Sequence, residues 1–353
     1  MYKLDFKDSL ADNLYAKVKK RIQDLAQDFI DGKSKKLDKV KYTANNSTIQ
    51  YLQDNILDDD YLKRLITGHP NVLRIIIETI PSIAFNVPPN VNTASMNENQ
   101  LQLHKESLNR NHNLNRILYY IFVENTYKKE IYLNKKDFVE NLKIRTCPYC
   151  NRNYVFIVKK ENNGKIVKPE IDHFYPKSKY PFLGVSFYNL IPACAMCNGF
   201  DCKSNESPCS DNSDPYNSRR IENPYEFESN NYRFSFDYSN NKLFNIKNND
   251  IELKIEGSQE LIDGYEDFFA IKSLYNEHKD IIIDIVLKLM YQYNSSGRYY
   301  LTKNIGENIS EEMLSRAFWG FSIGINDCHS RIFSKFFNDI LKKVKEYKLS
   351  EIT

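Results

Sequence analysis

The sequence lacks the marks of several protein classes, and each gap narrows what the chain can be. No stretch of about 18 or more apolar residues occurs, so no membrane-spanning helix is expected. The opening residues, MYKLDFKDSLADNLYAKVKK, have no apolar core of the kind that directs export. A soluble, cytoplasmic protein is therefore the expectation. No GxxxxGK[ST] phosphate loop is present, so the chain carries no nucleotide-hydrolysing engine of that kind. No internal repeat is evident. Strong net charge is missing too: 49 Lys and Arg face 46 Asp and Glu, leaving +3.

Distribution says more than the total. Between Asn141 and Asn205 ten Lys and Arg stand against four Asp and Glu, so the basic surplus is concentrated there. Such a run favours an anionic partner, although charge runs are more often plain solvated faces. The 353 residues suffice for two or three packed units, and 25 Tyr with 21 Phe supply large apolar faces with polar tips.

From about Asp8 to Glu140 apolar residues recur at three- and four-residue steps, as in LADNLYAKVKKRIQDLAQDFI, which predicts helices. PSIAFNVPPNVNTASMNENQ interrupts them as a Pro- and Asn-rich loop. Long periodicity disappears from about Leu142 to Ser210, where cysteines, prolines and glycines cluster. YEFESNNYRFSFDYSNNKLFNIKNNDIELKIEG alternates apolar and polar residues around Asn-rich turns and reads as short strands. The helical period returns from about Glu260 to Lys348. There DIIIDIVLKLMYQY reads as a buried helix, and ISEEMLSRAF opens with a weak capping signature at Ser310. The expected organisation is a helical region (1–140), a cysteine-bearing core (141–212), a β-rich extension (213–259) and a second helical region (260–353). In class terms this is α+β.

CPYCNRNY supplies Cys147 and Cys150; CAMCNGFDC supplies Cys194, Cys197 and Cys202. Two CxxC knuckles can place four thiolates at about 2.3 Å around one Zn²⁺ and close its tetrahedral shell. A redox CxxC is the competing reading, but it has no need of a second pair. Cys202 and Cys209 are second choices as ligands, and Cys328 reads as a core residue.

Between the knuckles lies EIDHFYPKSKYP, residues 170–181. An isolated Asp-His pair is ordinarily a surface feature at a strand end. Here it follows a hairpin with the turn ENNGK and the second arm IVKPEIDH. A lysine-bearing loop, FYNLIPAC and a short helix from about Ala195 come after it.

The ordered set CPYC, EIDHFYPKSKYPF and FYNLIPACAMCN resembles the HNH endonucleases of the ββα-metal type, in their zinc-knuckle form. The likeness spans Thr146 to about Ser204 and implies a zinc-stapled ββα-metal core flanked by helical regions. It implies that His173 is the general base, that Asp172 binds a catalytic Mg²⁺ or Mn²⁺, and that Asn189 holds the loop that aims the histidine. Asn198 falls at the third motif position and would complete the metal site. Lys177, Lys179 and Lys203 are the implied phosphate contacts. The family pattern often reads CN, two residues, then Lys; CNGFDCKS puts Lys203 two residues later and leaves Asp201 as another candidate near the metal. Phe174, Tyr175 and Tyr180 either stack on bases or pack beneath the knuckle.

The wording CPYCNRNYV, DHFYPKSKYPFL and SFYNLIPAC is similar to the nuclease partners of bacterial anti-phage systems of the Septu-type and retron-associated kinds. That resemblance implies a separate ABC-like ATPase subunit. The expected function is metal-dependent hydrolysis of nucleic-acid phosphodiester bonds, with DNA favoured. Alternatives are an RNA endonuclease acting on a structured RNA such as tRNA, a catalytically silent zinc-knuckle binding module, and a purely structural zinc scaffold. His69, His104, His112, His278 and His329 lie outside the motif and read as ordinary surface or packing residues.

Overall fold

The computed structural model describes residues 1–159, 166–167, 169–199, 201–238, 247–291 and 328–350, with positions 299, 303, 313, 316, 319 and 320. The ENNGK turn and the Ser310 capping signature lie outside the described residues.

Helix Asp8–Ile30 turns Val18, Ile22, Ala26 and Phe29 inward, the i, i+4 stripe expected of a half-buried helix. It packs on helix Asp59–Thr67 and on the helical segment Tyr119–Tyr132. Local chemistry sets the helix starts. The Asp58 side chain accepts the Tyr61 N–H at 2.7 Å, and Pro70 opens Pro70–Thr79. Asn97 and Gln100 cap Glu98–Asn111 reciprocally. The helical N-terminal region also contains a hairpin that periodicity does not reveal, β1 (Lys35–Leu37) and β2 (Val40–Tyr42). Its two-residue turn needs positive φ at both centres, and Asp38 and Lys39 adopt 48° and 65°.

The middle of the chain carries β3 (Val158–Lys159), β4 (Ile166–Val167), β5 (Glu170–His173) and β6 (Leu190–Ala193). Here the expected hairpin divides. β4 pairs with β3, whereas β5 pairs antiparallel with β6, so Asp172 faces Ile191 and His173 faces Leu190. Pro169 separates β4 from β5 and has no N–H to continue a ladder. The helix expected from Ala195 does not form: the described residues of 195–205 run as turns. The second knuckle, Gly199 and the left-handed Ser204 (φ 42°) break any helical register there.

β7 (Tyr232–Tyr238) and β8 (Ile251–Gly257) form the expected β extension as one antiparallel hairpin. Helix Ser334–Ser350 lies against β7, where Asp339 accepts the Phe234 N–H at 3.0 Å and Lys335 donates to the Tyr232 carbonyl at 3.1 Å. Helix Lys279–Tyr291 buries Ile282, Ile285, Val286 and Leu289. Among the described residues, buried side chains from Met1 to Val344 join one apolar cluster. The chain is mixed α and β, with helices dominating and strands short. Among the described residues no helix is long and apolar enough to cross a membrane.

Candidate functional site

The two knuckles converge. Cys147, Cys150, Cys194 and Cys197 are all buried, and their sulfurs lie within 4.8 Å of one another. Four thiolates about 2.3 Å from a tetrahedral ion stand about 3.8 Å apart, close to the 3.9 Å between Cys150 and Cys194 Sγ. Each knuckle closes with the same backbone bond, Asn151 N–H to the Cys147 carbonyl (2.8 Å) and Asn198 N–H to the Cys194 carbonyl (3.0 Å). The Arg152 N–H and the Asn153 amide each donate to a sulfur, Cys150 and Cys194 respectively, at 3.4 Å. These donors stabilise thiolate charge, as ligand sulfurs require. The donor set fits a metal ion such as zinc. Cys202 and Cys209 stand outside the cluster, and Cys328 is fully buried.

Asp172 and His173 close strand β5 within this frame and are not a surface pair: they are 3% and 4% exposed. The Tyr149 hydroxyl, carried between the first two cysteines, donates to Asp172 Oδ2 at 2.6 Å. Burial beside Asp172 pushes the Tyr149 phenol well above its ordinary pKa, so it stays a donor. His173 Nε2 lies 3.0 Å from the Gly184 carbonyl. A carbonyl only accepts, so Nε2 carries the proton and the lone pair resides on Nδ1. Burial, reinforced by the Lys177 charge, holds this imidazole well below its ordinary pKa and hence neutral. The Tyr127 ring meets it edge-on at 4.5 Å.

Asn189 braces the loop between the two strands. It is fully buried; its Oδ1 accepts the Tyr175 N–H at 2.7 Å, and its Nδ2 donates to the carbonyls of Tyr175 (3.2 Å) and Leu183 (3.0 Å). One amide thereby ties both ends of the loop that presents Gly184 to His173. Phe174, Tyr175 and Tyr180 are buried, so these aromatics pack rather than offer faces to bases.

Asp172, His173, Lys177 and Asn198 line one cleft of about 210 Å³, with Ile171, Pro176, Ser204 and Asn205. Burial lowers the Lys177 pKa. Lys179 lies away from this cleft, its ammonium 5.3 Å over the Tyr180 ring. Asp201 is exposed and does not line the cleft either. Lys203, expected at a phosphate, is instead fully buried: its ammonium contacts Asp172 Oδ1 at 3.2 Å, Asp172 Oδ2 at 3.1 Å and the His173 carbonyl at 2.8 Å. The turn after the second knuckle, with the Lys203 N–H 3.3 Å from the Cys197 carbonyl, sets the lysine against β5. A catalytic Mg²⁺ or Mn²⁺ does not fit this arrangement as it stands, because the Lys203 ammonium already balances the one charge that Asp172 offers. Asn198, uncharged, adds no compensating anion.

Three supporting residues escape sequence reasoning. Tyr149 and Tyr127 look like packing aromatics, and nothing local links either to residues 172–173. Asn151 is signalled only by its place after CPYC. It takes φ 52°, its buried amide donates to the carbonyls of Cys328 (2.9 Å) and Arg331 (3.2 Å) in the turn before helix Ser334–Ser350, and its Oδ1 accepts the Lys335 N–H at 2.9 Å, tying the knuckle to that helix. Two larger cavities of about 550 Å³ lie by the N-terminal segment, away from this cluster. No family model matches the sequence, and neither a curated protein nor a solved structure matches it.

Proposed function

We propose that this chain is an HNH-type endonuclease that hydrolyses nucleic-acid phosphodiester bonds, DNA in preference to RNA. One observation carries the reading. A histidine with its lone pair on Nδ1 lines a cleft beside a buried carboxylate, on a hairpin braced by an asparagine and a four-cysteine site.

In this reading His173 removes the proton from the attacking water, and the Gly184 carbonyl steadies the imidazolium that forms. Losing such a base typically costs about 10²–10⁴ in rate. Asn189 keeps Gly184 in register with the ring. Lys177, at the cleft, neutralises the phosphate; contacts of that kind position a backbone without reading its sequence. In the resting site Asp172 and Lys203 form a buried, charge-balanced pair under the histidine. The cysteine site, loaded with zinc, holds Tyr149 on Asp172.

The proposal extends to a role as the nuclease effector of an anti-phage system, driven by a separate ABC-like ATPase. Support for this part is the sequence wording around the two knuckles and the missing phosphate loop. The test compares zinc-loaded wild type with zinc-loaded His173→Ala on supercoiled plasmid and on total RNA, with Mg²⁺ or Mn²⁺ present. Plasmid nicking that the variant loses supports the proposal. Cleavage of RNA alone moves the substrate to RNA, and equal cutting by both proteins removes His173 from the chemistry. If neither protein cuts while nucleic acid is bound, the silent binding module gains.

A further inference from the structure

The surroundings of the Lys203 ammonium are those of a bound cation. It is fully buried and held by three oxygens, two from Asp172 and one from the His173 carbonyl, with the Phe174 ring 6.0 Å away. Carboxylate and carbonyl oxygens are the donors that hard divalent ions select. One carboxylate supplies one negative charge, and Asn198, across the same cleft, supplies none. A divalent ion on Asp172 would therefore share its only anion with an ammonium a few ångströms away, in surroundings that screen poorly. The two cations therefore compete for Asp172.

We propose that Lys203 occupies the cation position of this site, and that a divalent ion reaches Asp172 only by displacing it. Lys203 is then an intrinsic competitor that keeps the resting site closed to metal. The displacement needs only the side chain: Lys203 sits in a turn whose N–H stays on the Cys197 carbonyl at 3.3 Å, and the left-handed Ser204 follows it. Swinging the side chain into the cleft that Ser204 and Asn205 already line would open Asp172 and deliver a positive charge to where a phosphate would lie. The inference rests on the nuclease reading for its purpose but not for its test.

The experiment is Mn²⁺ binding to the full, zinc-loaded chain, followed by electron paramagnetic resonance, with no nucleic acid present. Lys203→Met keeps the length of the side chain without its charge. It should bind Mn²⁺ at least tenfold more tightly than wild type, and Lys203→Met/Asp172→Asn should lose that gain. Lys203→Arg, which keeps the charge, should stay with wild type. Unchanged or weaker binding by a Lys203→Met protein with native zinc content and melting temperature overturns the proposal. If that variant does not fold, wild type decides. Saturating Mn²⁺ should raise amine labelling of Lys203 severalfold, read by peptide mass spectrometry, and unchanged labelling overturns the proposal. Failure of the nuclease reading shows separately, as no difference between wild type and His173→Ala in cleavage.

Discussion

Asn189→Ala is the most informative single change at this site, because its cost follows from hydrogen bonds that can be enumerated. The amide satisfies the Tyr175 N–H, the Tyr175 carbonyl and the Leu183 carbonyl, and the side chain has no exposure to water. Leu183 keeps a second partner, the Ser186 N–H at 3.2 Å, so it is not stranded. Both Tyr175 groups lose their bond to this amide. A buried polar group left unpaired costs about 1–3 kcal/mol, so the two together cost about 2–6 kcal/mol, before the lost packing of the amide. A loss of about 4 kcal/mol is a large share of the 5–15 kcal/mol typical of a folded domain. Urea unfolding followed by far-UV circular dichroism measures it, as a fall in midpoint at constant slope. The site should respond as well. Once Tyr175 and Leu183 are untied, Gly184 drifts from His173, and ¹⁵N spectra should show the imidazole leaving its single Nε2–H tautomer. A loss below 1 kcal/mol with the tautomer unchanged would refute the bracing role.

The four-cysteine site predicts one zinc per chain by elemental analysis. Cys194→Ser should lower zinc retention against a chelator by orders of magnitude and loosen Tyr149 from Asp172. Gly264→Ala should destabilise the chain despite alanine's higher helix propensity, since an added methyl on helix Gln259–Phe269 would run into the Arg220 carbonyl. Overpacking of this kind costs about 1–3 kcal/mol, and thermal unfolding reads it. Glu256 is held down to about 2, first by the Ser235 side chain and then by Arg233 and Lys343. A depressed carboxylate contributes its stability above its unfolded pKa and loses it as pH falls through the folded value. The melting-temperature gap between wild type and Glu256→Gln should therefore be full at pH 6 and shrink between about pH 4.5 and 2. A gap that is flat over this range would show that the Glu256 contacts carry no charge-dependent stability.

Much of the architecture is written in local chemistry. The stripe of Val18, Ile22, Ala26 and Phe29 needs only a period of 3.6 residues, and the alternation of Tyr232, Phe234 and Phe236 needs only a period of two; both elements form as expected. The spacing of the two CxxC pairs already singles out the four cysteines that converge. Other features depend on partners far along the chain. The β5–β6 pairing is a choice between two possible neighbours for the same extended segment, and the helix absent after Cys197 yields to knuckle geometry.

The sequence by itself determined the chemistry available: four thiolates in paired spacing, an Asp-His dipeptide, an asparagine before the returning strand, and a lysine after the second knuckle. Only the tertiary structure decided what each of these touches. It turned Lys203 from a surface cation into the buried counter-charge of Asp172, and it engaged both carboxylate oxygens through Tyr149 and Lys203. It also gave the His173 proton to Nε2 through a carbonyl eleven residues away. The reason is physical. Spacing along a chain selects which donors and acceptors exist, whereas burial and distance, set by the whole fold, select which of them meet.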